Sequence, residues 1–172
     1  MSIGSTLKVT DENGDLKKSI LLVGDITSDL KQFASEVLHE ADIVGTDVNI
    51  YTTDRLPLTD GNVVASLLVI IVDLSNKETL TSSSYFLQFI PKEFFIGRLI
   101  FVGLNVNNEQ SWSIEPEEIS DLARQCACPV LWGSVNNAQS MSILSKQILK
   151  KLECVTTNQY PTVLCTGLSN LR

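Results

Sequence analysis

Apolar and polar positions follow two periods along this chain, and each change of period marks a strand giving way to a helix. Residues 19–24 (SILLVG) are a short apolar run that stops in a polar turn, which predicts a buried strand. From Asp29 the apolar positions fall at Leu30, Phe33, Ala34, Val37 and Leu38, the spacing of one helical face. That spacing predicts a helix laid on the sheet, with Thr27 or Ser28 placed to cap it. Residues 48–51 predict a second strand. Leu56-Pro57-Leu58 and Asp60-Gly61 then make a connection that regular structure does not cross.

Residues 66–73 (SLLVIIVD) are apolar on both faces, as a central parallel strand between two layers of helices must be. Residues 77–89 predict a helix with Leu80, Ser84, Tyr85 and Leu87 near one side, ended by Pro91, and residues 98–104 (RLIFVGL) another buried strand. A helix is predicted over 115–126. Glu115, Pro116, Glu117 and Glu118 occupy its first turn, where carboxylates offset the positive end of the helix dipole, and Ile119, Leu122, Ala123 and Cys126 face inward. Residues 129–133 (PVLWG) predict the last strand, and 137–154 a long helix striped by Met141, Leu144, Ile148 and Leu152.

Strands and helices in this alternation predict a three-layer α/β/α domain with a mainly parallel central sheet, because right-handed crossovers place helices on both faces. The domain spans 19–154. A polar arm with an Asn13-Gly14 turn signal, 1–18, precedes it, and an apolar tail broken by Pro161 and Gly167, 155–172, follows.

With 172 residues the chain has room for one ordinary core. Its 13 basic and 20 acidic residues give a formal charge of -7, which repels phosphate backbones, so no direct nucleic-acid contact is expected. The amino end has no apolar run of signal-peptide type, and the longest apolar stretch, 63–72, is broken by Ser66 and too short to span a bilayer. A soluble, non-secreted protein is expected. Cys126 and Cys128 form C-x-C, while Cys154 and Cys165 stand alone and His39 is the single histidine. No zinc spacing results, so buried thiols are expected and metal is not.

In an α/β domain, function is argued from the strand ends, and the first strand-to-helix turn is the usual phosphate cradle. Laid on Gly24, the P-loop frame G-x-x-x-x-G-K-[ST] puts Asp29 at the second glycine, Leu30 at the lysine and Lys31 at the hydroxyl. All three positions fail. Asp25 and Asp29 would also repel phosphates. The dinucleotide fingerprint fails as well, since the next glycine is Gly45. Asp25 and Asp73, both just past strands, suit a receiver-like or magnesium-dependent phosphotransfer domain, which is the alternative reading. That chemistry wants a hydroxyl and a lysine after the fourth and fifth strands, where this chain has Gly103-Leu104 and Gly133-Ser134. Ser66, Ser75 and Ser82–Ser84 lie in no G-x-S-x-G frame, and His39, near the end of the first helix, suits the helix C-terminus better than a triad.

The order of elements resembles a Ras-like small GTPase. LLVIIVDLSNKETL falls where that fold has a strand and its next helix, RLIFVGLNVN on the strand that carries N-K-x-D, and PVLWGSV on the S-A-K strand. On this resemblance, N-K-x-D becomes Leu104, Asn105, Val106 and Asn107, and S-A-K becomes Ser134, Val135 and Asn136. Too little chain separates Leu38 from Ser66 for the usual switch regions, and Asp60-Gly61 forms no D-x-x-G.

One family of such pseudo-GTPases is centromere protein M, and the chain is similar to its vertebrate members over nearly its full length. The likeness is carried by ILLVG with the following helix, by R-L-P-L at 55–58, by the strand before Asp73 with Leu74 and Lys77, by F-F-I-G at 94–97 and by the leucine-rich tail ending in Leu171-Arg172. The resemblance implies a nuclear, non-catalytic subunit of the inner kinetochore that needs no cofactor. It also implies binding to centromere protein I, in an assembly with centromere proteins H and K.

Two segments are the expected partner contacts. Phe94, Phe95 and Ile96 are three consecutive bulky residues that cannot all face inward, and Val163, Leu164, Leu168 and Leu171 give the tail its apolar character. Either segment has a second reading within its own domain, as a plug of the sheet edge or a docked strap.

Overall fold

The central strand of the computed structural model is the one the sequence marks as apolar on both faces. Residues 7–9, 18–25, 28–58 and 62–157 are described. In chain order the elements are β1 (Leu7–Lys8), β2 (Ser19–Val23), α1 (Ser28–Ile43), β3 (Asn49–Thr53), β4 (Val63–Val64), β5 (Leu67–Asp73), α2 (Lys77–Phe86), β6 (Leu99–Leu104), α3 (Pro116–Gln125), β7 (Val130–Trp132) and α4 (Ala138–Thr156). The main sheet has five strands in the order β3-β2-β5-β6-β7, every pair parallel. β5 therefore lies at the centre, and its Leu67, Leu68, Val69, Ile70 and Val72 are fully buried. Burying one such side chain stabilises the fold by roughly 1.5–3 kcal/mol.

Helices cover both faces. On one side α1 and α4 close over Ile20, Leu22, Val69 and Val102, contributing Phe33, Val37, Leu144, Ile148 and Leu152. On the other, α2 and α3 close over Leu21, Leu68, Ile70 and Phe101, contributing Phe86, Ile119 and Ala123. α3 starts as its sequence predicts, with Glu117 and Glu118 in the first turn and Glu118 Oε1 accepting from the Glu115 N–H at 3.1 Å. Asn137 caps α4, its side chain accepting from the Ser140 N–H at 3.0 Å.

The structure corrects five expectations. The arm before residue 19 contributes β1, which pairs in parallel with β4 and buries Leu7. Leu38, expected inward, is largely exposed. α2 turns Thr79, Ser83 and Phe86 inward, whereas Ser84 and Tyr85 face solvent and Leu80 is only half-buried. The regular helix stops at Phe86 and tightens into a 3-10 turn, Leu87–Phe89, before Pro91. Finally, His39 is exposed and lies outside the last turn of α1, which holds no basic residue. Thr27, Asn13-Gly14 and Asp60-Gly61 lie outside the described residues.

Candidate functional site

In a doubly wound sheet, the ligand crevice opens at the carboxyl ends of the strands where the strand order reverses. Here that point lies between β2 and β5. Gly24 follows β2 directly, and a Cβ placed on it would sit 3.1 Å from Ile71 Cβ and 3.3 Å from the Ile71 carbonyl oxygen. Its N–H donates to the Thr53 carbonyl at 3.0 Å, continuing the β2–β3 ladder. The glycine serves strand packing, and the N–H that a phosphate cradle would use is already engaged.

The crevice beside it is small. A cavity of about 60 Å³ is lined by Asp25, Asp29, Leu30, Ile71, Asp73 and Leu104 among others, and a neighbouring one of about 150 Å³ by Asp54, Glu78 and Ser82 among others. Small-molecule sites run to about 300–1,000 Å³. Among the described residues neither lining includes a lysine or arginine, and both include Asp25. Lys31 is exposed on α1, one residue beyond the buried Leu30. Volume and charge therefore both oppose a nucleotide's phosphates.

Asp73 is committed to the protein itself. Its Oδ1 accepts from the Ser75 N–H at 2.9 Å, the Ser75 hydroxyl at 2.7 Å and the Asn105 side-chain amide at 2.9 Å. Asn105 adopts a left-handed conformation, φ 65°, which asparagine tolerates better than most residues. Its carbonyl accepts from the Trp112 indole N–H at 3.1 Å, which anchors the following turn. At the N-K-x-D positions the structure therefore has a buried leucine, Leu104, a structural strut, Asn105, and an exposed side chain, Asn107. In the turn after β7, Val135 is buried and its carbonyl accepts from Gln32 of α1 at 3.4 Å. Asp25 is exposed, and among the described residues no group of three or more His, Cys, Asp or Glu could hold a metal ion.

Cys126, Cys128 and Cys154 are free and half-buried, and Cys165 lies outside the described residues. The Cys128 thiol donates to the Cys126 carbonyl at 3.1 Å. Burial, reinforced by Cys126 and opposed by Lys151, pushes the Cys128 thiol up to about 12.

At the opposite, amino edge of the sheet the expected partner segment divides. Phe94 is fully buried in the cluster under α2 and α3, so its side chain belongs to the core; Phe95 is half-buried and Ile96 is 69% exposed. Gly97, with φ 75°, turns the chain into β6. Arg98 is buried and donates to the Ser66 carbonyl and the Val155 carbonyl, each at 3.2 Å. The second bond fastens the last turn of α4 beside the Ile96 turn, so α4 ends at the edge that presents Ile96. The tail residues Val163, Leu164, Leu168 and Leu171 lie outside the described residues.

Sequence reasoning missed Arg98 and Glu40, and it singled out Asn105 only as a degenerate N-K-x-D position, not as a strut. Glu40 is buried on α1, its Oε1 accepting from the Ser142 hydroxyl and its Oε2 lying 3.7 Å from Lys146 Nζ. Its signal was positional, since residue 40 continues the stripe of Phe33 and Val37.

The fold and its carboxyl edge define a three-layer α/β/α protein of small-GTPase type, with Leu30, Leu104 and Val135 packed, Asn105 a strut, and Lys31 and Asn107 exposed at the nucleotide-motif positions. The chain belongs to the centromere protein M (CENP-M) family, whose model matches residues 5–172. It is 24% identical over 153 residues to Centromere protein M of Homo sapiens, covering 89% of this chain and 84% of that protein. Against Centromere protein M of Bos taurus it is 23% identical over 153 residues, with the same shares covered.

Proposed function

We propose that the chain is a non-catalytic structural subunit of the inner kinetochore, placed in the nucleus at the centromere. It binds centromere protein I within an assembly that includes centromere proteins H and K, and so supports kinetochore assembly and chromosome segregation. The observation that carries this reading is the occupied carboxyl edge. Asp73 and Asn105 bond to each other there, beside a crevice of about 60 Å³ with an acidic lining. Membership of a centromere protein family supplies the setting.

Partner binding is assigned to the amino edge, where Ile96 is exposed and α4 ends. An exposed branched aliphatic beside the start of an apolar tail fits the apolar centre of a protein interface. The test is thermal unfolding with GTP, GDP or ATP and magnesium. A ligand that binds only the folded state must raise the melting temperature, so the reading expects no shift, and a clear nucleotide-dependent rise contradicts it.

A further inference from the structure

The chain is acidic overall, at -7, yet one groove on it has the opposite sign. Where the end of α1 meets the second half of α4, a cleft of about 280 Å³ is lined, among the described residues, by Lys18, Lys146 and Lys150 and by one carboxylate, Glu153, with Glu40 behind Lys146. Leu149 and Leu152 form its buried floor, and Val44 is the apolar lining residue open to a ligand. Val44 is 57% exposed and its neighbour Ile43 63% exposed, so the apolar strip runs out of the cleft onto the surface. The last carbonyls of α1 are taken, which leaves the exposed Asp42 side chain as the competing negative charge of its last turn. Glu40, Ala41 and Asp42 accept from the N–H groups of Val44, Thr46 and Gly45 at 3.2, 2.9 and 3.1 Å.

We propose that this groove receives an acidic amphipathic segment of a partner protein, with aliphatic side chains on the exposed Val44 and carboxylates toward Lys18 and Lys150. Lys146 already lies 3.7 Å from Glu40, so the other two lysines supply most of the attraction. Charge decides between occupants. Residues 158–172 of this chain contain one charged side chain, Arg172, and bring no side-chain carboxylate to a lysine-lined groove. The proposal rests on reading the chain as a binding subunit, but its test uses neither nucleotide nor a change at Ile96.

The experiment is fluorescence anisotropy of the full chain with a labelled helical peptide of leucine and glutamate at amphipathic spacing, alongside its leucine–lysine counterpart. The leucine–glutamate peptide binds saturably and more weakly as salt rises, while the lysine peptide does not bind. Lys150→Glu and Val44→Asp each weaken binding about tenfold or more, the first by charge and the second by loss of apolar contact. Lys31→Glu, elsewhere on α1, changes nothing, and circular dichroism verifies that each variant is folded. Absent binding, equal binding of both peptides, or indifference to Lys150→Glu overturns the proposal. Two further results overturn it in favour of another occupant. One is tighter peptide binding after removal of residues 158–172, and the other is a dimer in sedimentation that Val44→Asp abolishes.

Discussion

The Asn105 side-chain amide donates to Asp73 Oδ1 at 2.9 Å, joining the carboxyl ends of β6 and β5. In a nucleotide-binding domain of this architecture these strand ends face a ligand. Here they face each other. The Asn105 carbonyl also accepts from the Trp112 indole, so one residue at an N-K-x-D position of the small-GTPase pattern holds two loops together.

The strut has a measurable order of effects. Asn105→Gly loses the side-chain bond but keeps easy access to φ 65°, and Asn105→Ala loses both. Urea unfolding should place Gly about 1 kcal/mol below the parent and Ala about 1 kcal/mol lower still. Equal stability of all three proteins would remove the strut from the account.

A second relationship lies across β6 and β7. A Cβ on Gly103 would fall 2.3 Å from the Trp132 ring, so this glycine exists to admit the indole. Gly103→Ala should cost about 2 kcal/mol or more, and clearly less in a Trp132→Leu background, where the obstacle is gone. A double-mutant cycle with no coupling would contradict the packing argument.

These two sites mark the boundary of what the sequence discloses. β2, β5 and β6 were legible because strands buried on both faces are written as unbroken apolar runs, and α4 because Met141, Leu144, Ile148 and Leu152 keep helical period. α2 misled because its buried face is built from Thr79 and Ser83. Their hydroxyls are satisfied within the chain, Ser83 donating to the Thr79 carbonyl at 2.7 Å, so they enter the core as small residues. The β1–β4 pairing rests on two residues from each strand, too few to show a period. At the site, missing motifs were readable as missing letters. What replaced them was not, because the roles of Asn105 and Gly103 depend on Asp73 and Trp132, partners distant in the chain.

Arg98 joins the Ile96 turn to α4. Arg98→Met keeps the bulk of the side chain but leaves the Ser66 and Val155 carbonyls without its donors, at a cost of about 1–3 kcal/mol. Amide hydrogen exchange should quicken in the last turn of α4, near Val155, more than in β5. A uniform change over the whole chain would argue against a local clasp.

Cys128 offers a test by pH. Its folded-state value is raised, so the folded protein keeps a proton that the unfolded chain releases. The resulting stability is complete below the ordinary thiol range, near 9, and is lost as pH rises toward about 12. Alkylation of Cys128 in the folded protein, followed by mass spectrometry, should therefore be slow at pH 8 and accelerate only well above pH 9. Rapid labelling at pH 8 in folded protein would contradict the burial.

The proposed function puts partner binding at the amino edge of the sheet and none at the carboxyl edge. Reconstitution with centromere proteins H, I and K, read by co-elution in size-exclusion chromatography, tests it most directly with two folded variants. Asp25→Asn, at the carboxyl edge, should co-elute as the parent does, and Ile96→Glu, at the amino edge, should not. Loss of assembly in Asp25→Asn with Ile96→Glu unaffected would contradict the account.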